Sequence, residues 1–193
     1  MADVHVARSP ESHVEVALVS ADDLAALSNL FQFYIYDFSE MMGPAISGDG
    51  RFHQLDGESY DQAYFVRVDG ALAGFALVSR GPSRVIEGES TWWMEEFFVM
   101  CRHRRASVGR RAAHLVFERH PGTWEISEVA KNGPAIAFWR RVLAAYGCEE
   151  VVWNDPKQGL RPLQRFTARA ENPVPVGVAM EARSARDGDA TNR

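Results

Sequence analysis

Val14, Val16 and Leu18 alternate with Glu15 and Ala17, the period-two pattern of a strand with one buried face. Ser20 or Asp22 then offers a helix cap, and Leu24, Leu27, Leu30, Phe31 and Tyr34 fall on one helical face. This helix is expected to run to about Met41, where Gly43-Pro44 stops it. The Gly- and Asp-rich stretch 45–61 reads as a long loop or a loop with a short helix. Ala63–Val68 and Leu72–Val78 are expected strands, and the intervening Asp69-Gly70 is a type I′ hairpin signal. After a polar turn region at 80–90 come a strand over Thr91–Met100 and a helix over Val108–Glu118. Thr123–Val129 alternates as a strand, and Asn132 introduces a helix with Pro134 in its first turn and Ala135, Phe138, Trp139 and Val142 on one face. Tyr146-Gly147 ends it, and short strands follow at Glu150–Trp153 and Leu163–Ala168. An early hairpin with a later strand–helix–strand unit predicts a mixed α/β sheet with flanking helices.

Composition narrows the classes. The 193 residues are 46% hydrophobic, enough for one domain over about 13–170, with residues 1–12 a flexible N-terminus and 171–193 a disordered tail. A net charge of −5 argues against a dedicated nucleic-acid binder, although Arg102, Arg104, Arg105, Arg110 and Arg111 cluster. No apolar run approaches a membrane span and no secretory signal precedes the first strand, so a cytoplasmic protein without a membrane partner is expected. Cys101 and Cys148 form no CxxC, and His53, His103, His114 and His120 lack ligand spacing, so no metal is expected. Cys101, at a strand end, reads as a small apolar filler.

The stretch Trp92–Arg111 organises the rest of the chain. An aromatic strand runs into a short basic loop and then a helix start. First-turn N–H groups lack internal partners and carry partial positive charge, so such a junction is a site for phosphate.

The residues Val99 to Gly109, V-M-C-R-H-R-R-A-S-V-G, resemble motif A of the GNAT (GCN5-related N-acetyltransferase) superfamily, [Q/R]-x-x-G-x-[G/A] after a strand. Arg104 stands at its first position, Ser107 at the first glycine and Gly109 at the last. Asn132–Trp139, NGPAIAFW, is similar to motif B, N-x-x-A-x-x-F-Y, and the likeness spans about residues 14–168. It is closest to bacterial acetyltransferases with an E-F-F-V strand and an F-W-R-R helix. The resemblance implies the GNAT fold, a mixed sheet splayed between its fourth and fifth strands, with acetyl-CoA as co-substrate. The pantetheine arm would bond to strand backbone near Val99 and Cys101. The pyrophosphate would rest on the loop and helix start at Arg104, Arg105, Ala106, Ser107, Val108, Gly109 and Arg110. Asn132 would meet a pantetheine amide or cap its helix, and Trp139 would pack on the arm or in the core. Serine suits position 107 only if φ is not strongly positive. On the same reading, Gly109→Glu would block CoA while leaving the fold largely intact.

Acetyl transfer needs a neutral amine, and a carboxylate acting directly or through water can take its proton. Glu95 and Glu96 interrupt an apolar strand and are the candidates; regular alternation lets only one face the cleft. The resemblance favours Glu96, while a bulge would shift the register by one. Trp139 occupies the motif B tyrosine position, which in the family protonates the thiolate, and indole is no acid. Tyr146 lies about 10 Å further along the helix, which leaves water, Tyr64 or Ser127 to supply the proton. The first helix with Tyr34, Tyr36, Asp37 and Glu40, the 43–61 loop and the last strands would wall the acceptor side. The expected activity is transfer of an acetyl group to a primary amine of a small molecule or peptide. A non-catalytic acyl-CoA-binding or sensor module is the rival, and a homodimer is left open.

Overall fold

The structure is a computed structural model that describes residues 12–52 and 60–169. The terminal segments expected to be unstructured, residue 12 apart, and residues 53–59 of the first loop lie outside the described residues. Among the described residues seven strands and three α-helices follow in the order β1 (Val14–Leu18), α1 (Leu24–Met42), β2 (Gln62–Val68), β3 (Ala71–Pro82), β4 (Ser90–Val99), α2 (Val108–Arg119), β5 (Gly122–Ser127), α3 (Gly133–Leu143), β6 (Glu149–Asp155) and β7 (Gly159–Ala168). The strands form one sheet in the order β1-β2-β3-β4-β5-β7-β6, in which only β4 and β5 run parallel. The expected element order and mixed sheet are therefore present.

Local chemistry explains most boundaries. The Asp23 carboxylate accepts from Ser20 N at 3.4 Å and Ser20 Oγ at 2.6 Å, so the pair Ser20–Asp23, not Asp22, fixes the entry to α1. Asp69 and Gly70 both take positive φ, 50° and 78°, the type I′ geometry that matches strand twist. β3 runs four residues past the expected Val78, because residues 79–82 still pair with β4 before the chain turns. β5 stops at Ser127, two residues short of expectation, because its pairing with β7 ends at Leu163. Past that point Ser127 O and Glu128 O accept from Arg161 Nη2 and Nε at 3.1 and 3.2 Å.

Two cores sandwich the sheet. Leu27, Leu30, Phe31, Tyr34 and Ile35 of α1 pack on Phe65, Phe75, Leu77 and Phe98. On the opposite face Ala112, Val116 and Phe117 of α2 and Trp139, Val142 and Leu143 of α3 pack on Met94, Trp124, Ile126 and Phe166. Phe117 and Trp124 have no exposed surface, and each fully buried side chain of this kind is worth about 2–3 kcal/mol of transfer free energy. Among the described residues no helix is long and apolar enough to cross a membrane.

One feature of the sheet positions the cleft. β4 and β5 are in register only at Trp92↔Trp124 and Trp93↔Glu125, and beyond these pairs the strands part. At the same point β4 carries a bulge: Met94 faces Val78 and Glu96 faces Leu77, so Glu95 is the extra residue. A bulge bends its strand and increases the local twist, which directs the end of β4 away from β5. On the other edge of β4, Gly74 of β3 keeps the end of the strand close. A Cβ there would lie 1.9 Å from Phe98 O, so no other residue fits.

Candidate active site

Where β4 leaves β5, a cleft of about 750 Å³ opens. Its walls are the end of β4 (Phe97, Phe98, Val99), the start of α2 (Ser107, Gly109, Arg110), the first turns of α3 (Asn132, Ala135, Phe138, Trp139) and the middle of α1 (Tyr34, Asp37, Phe38, Met41).

The α2 end of the cleft presents backbone N–H groups and arginines. The first bond of the helix turn runs from Arg111 N to Ser107 O at 3.0 Å, so the N–H groups of Val108, Gly109 and Arg110 have no acceptor within the helix. Exposed Arg105 and Arg110 flank them. Ser107 takes φ 60° and Arg105 φ 67°, both left-handed. The condition set on serine is thus overturned: the loop imposes the conformation that a glycine would adopt freely, at about 1 kcal/mol per residue. Gly109 serves a different need. A Cβ there would lie 3.2 Å from Phe138 Cε2 and 3.7 Å from Phe97 Cε1, so it is the absence of a side chain that lets α2 meet α3 and β4. Gly109→Glu would displace Phe138, and the expectation that it leaves the packing intact is corrected.

Arg104 is already engaged. Its Nε donates to Val99 O at 2.7 Å and its Nη2 donates to the Asp37 carboxylate, tying the loop to the end of β4 and to α1. Val99, Arg104, Arg105, Ser107, Gly109, Arg110, Asn132 and Trp139 are brought together on the cleft wall. Cys101, Ala106 and Val108 do not line it; Val108 is buried under α2 and Cys101 is exposed, not the apolar filler expected. Asn132 caps α3, its Oδ1 accepting from Ala135 N at 3.1 Å, while it also borders the cleft. Trp139 is 5% exposed and packs against Phe97 at 5.2 Å, so it is a core residue with an edge on the cleft.

The bulge settles the two glutamates differently from regular alternation. Leu77, the partner of Glu96, belongs to the α1 face, and Glu96 accepts a hydrogen bond from Tyr34 Oη of α1. Glu95 turns to the same face and pairs with Arg84 Nη2 at 3.3 Å, where the guanidinium lies 4.1 Å from the centre of the Trp93 ring. Burial pushes the half-buried Glu96 carboxyl up to about 7, with the Tyr34 hydrogen bond opposing the rise and the charge of Glu95 adding to it. Tyr34, 9% exposed, is raised well above the ordinary tyrosine value by burial and then by the charge of Glu96.

The proton donors considered for the thiolate lie elsewhere. Tyr64 Oη donates to Gln62 Oε1 at 2.6 Å and sits 2.9 Å from His120 Nε2 in the sheet core. Ser127 Oγ donates to Pro162 O at 2.8 Å, and Tyr146 Oη lies 2.6 Å from His114 Nδ1 outside the cleft. Tyr36 is 68% exposed, whereas Phe38 and Met41 line the cleft. The spacing Tyr34–Phe38–Met41 continues the apolar face of α1 and could have shown this from sequence.

Residues 25–145 match the model of the acetyltransferase (GNAT) family, and the chain belongs to that family. Solved structures share the fold. A histone acetyltransferase HPA2 and related acetyltransferase from Corynebacterium glutamicum is 11% identical with a TM-score of 0.57, over 83% of this chain and 99% of that one. A GNAT-family acetyltransferase from Staphylococcus aureus is 13% identical at 0.55, over 81% and 100%. Arabidopsis thaliana Naa50, in complex with a CoA bisubstrate analogue, is 11% identical at 0.53, over 78% and 97%. No curated protein sequence matches significantly.

Proposed function

We propose that this chain is an acetyl-CoA-dependent N-acetyltransferase that moves the acetyl group directly to a primary amine of a small molecule or peptide. One observation carries the reading. A carboxylate held near 7, Glu96, stands behind the wall of a cleft whose other end is a helix N-terminus flanked by Arg105 and Arg110. The cradle suits a pyrophosphate: three N–H groups without helical acceptors face it, and the arginines add charge. Between cradle and carboxylate, the edge of β4 from Glu96 to Val99 has no strand partner on the β5 side among the described residues, so its backbone can pair with an extended amide-bearing arm. The family and the complexes of its relatives with CoA analogue or acetyl-CoA support that assignment.

Chemically, Glu96 takes the proton of the attacking amine, directly or through one water. A carboxyl near 7 is far better matched to this task than one near 4. The amine reaches it from the α1 side, past Tyr34, Phe38 and Met41.

Calorimetric titration with acetyl-CoA and free-thiol release over a panel of primary amines test the reading. Arg110→Glu reverses charge at the exposed first turn of α2 and is expected to weaken acetyl-CoA binding at least about tenfold without lowering the melting temperature. Unchanged affinity would place the phosphates elsewhere. Binding without thiol release on any amine would leave the non-catalytic acyl-CoA-binding module as the function.

A further inference from the structure

We propose that Tyr34 is the acid of the reaction, giving its phenolic proton to the departing CoA sulfur and recovering one from Glu96. The inference rests on the acetyl-CoA reading of the cleft and adds a residue which that reading does not require.

Transfer to an amine leaves two proton imbalances. As the C–N bond forms and the C–S bond breaks, the nitrogen holds one proton too many and the sulfur one too few. Tyr34 and Glu96 join the two ends. Tyr34 lines the cleft beside Phe98 and Val99, and its Oη donates to Glu96 Oε2. Its ring is fixed against Phe31 at 5.6 Å, Phe75 at 5.7 Å and Phe98 at 6.0 Å, so the hydroxyl is held in place before anything binds. The amine proton goes to Glu96, the Tyr34 proton goes to sulfur, and the proton on Glu96 crosses the existing hydrogen bond to the Tyr34 oxygen. Atoms and charge balance, and both residues return to their starting states.

The other carboxyl that lines the cleft among the described residues, Asp37, is engaged by Arg104 Nη2 and not by the β4 wall. The aromatic residues of α3 at the cleft are Phe138 and Trp139, neither of which can serve as an acid, and Tyr64 and Tyr146 are bonded in other parts of the fold. Burial also favours the neutral phenol, which keeps Tyr34 protonated at every pH where Glu96 works as a base.

Tyr34→Phe removes the hydroxyl and keeps the ring contacts. It is expected to bind acetyl-CoA with affinity within about threefold of the parent and to lose about 100-fold in kcat, the span of one acid–base group. A role limited to holding Glu96 would give a similar loss, so the deciding measurement is the ultraviolet titration of the thiol of bound CoA. As the thiolate forms, the single phenolic proton turns from Glu96 to the sulfur; this hydrogen bond lowers the thiol by about one pH unit in the parent, and Tyr34→Phe should abolish the lowering. Glu96→Gln keeps the hydroxyl and is expected to keep the lowered thiol while losing turnover. Equal thiol titrations in parent and Tyr34→Phe, or turnover of Tyr34→Phe within threefold of the parent, would overturn the assignment while leaving the cleft reading intact. Failure of the parent itself to bind acetyl-CoA would remove both.

Discussion

Glu96 and Glu128 stand on opposite sides of the parting between β4 and β5, and burial pushes both carboxyls up to about 7. Their surroundings differ. Glu96 faces α1 and has as its donor Tyr34, which lines the cleft. Glu128, just beyond β5, is 6% exposed, and neither of its oxygens has a hydrogen-bond partner among the described residues. Near it lies Gln164, 1% exposed, whose Nε2 is turned to Glu150 at 3.2 Å and whose Oε1 is also without a partner. Two equal shifts therefore have different meanings. A raised carboxyl marks a base only where a substrate can reach it and a fixed donor orients it; elsewhere it marks a destabilising burial.

The largest expected effect breaks that equality on turnover. Glu96→Gln should lower kcat by about 100-fold or more, and Glu128→Gln should leave it within about threefold. The kcat/KM profile of the parent should rise with pH through about 7 and level off above it, because Glu96 must lose its proton to act as a base. A profile flat from pH 5 to 8, or equal losses in the two variants, would make the distinction between them void.

Stability supplies the next contrast. Glu128 has a folded-state value raised from 4.5 to about 7, so the folded form holds a proton that the unfolded chain has released between those values. Its favourable contribution is complete below about 4.5 and is lost as pH rises through 7. Glu128→Gln removes the charge with little change of shape. The variant should be more stable than the parent by about 3 kcal/mol at pH 8, with the difference falling below about 1 kcal/mol near pH 5. Chemical denaturation at the two pH values measures it, and a variant less stable at pH 8 would mean that the carboxylate has a stabilising partner.

How much of this was readable beforehand follows the range of each interaction. The Asp69-Gly70 hairpin, the stop at Gly43 and the cap at Asn132 are local, and residue types alone specify them. The junction of basic loop and helix start was legible for the same reason, since the two are adjacent in the chain. The bulge was not: in the run Met94-Glu95-Glu96-Phe97, alternation cannot say which residue is extra, because the choice is made by β3 across the sheet. Nor was the engagement of Arg104, whose partner Asp37 is 67 residues away. Glu128 falls inside the strand expected over Thr123–Val129 with nothing to single it out, and only the pairing of β5 with β7 brings it near Gln164. Tyr34 fell between these cases: it was expected on the acceptor wall, but its bond to Glu96, 62 residues away, was not legible.

The smallest effect tests the bulge itself. Because Glu95 and Glu96 share the α1 face, the charge of Glu95 opposes ionisation of Glu96, while the Tyr34 hydrogen bond and then the Arg161 guanidinium favour it; Arg84 pairs with Glu95 itself. Glu95→Gln removes that opposition and leaves the Arg84 guanidinium unneutralised nearby, so both changes favour the charged form of Glu96. The acid limb of kcat/KM should move to lower pH by about half a unit, with the plateau within about threefold of the parent. On a regular strand the two carboxylates would point to opposite faces of the sheet, and the limb would stay in place. A shift to higher pH would instead mean that Arg84, freed from Glu95, has moved away from Glu96. A tenfold fall in the plateau would transfer the role of base to Glu95.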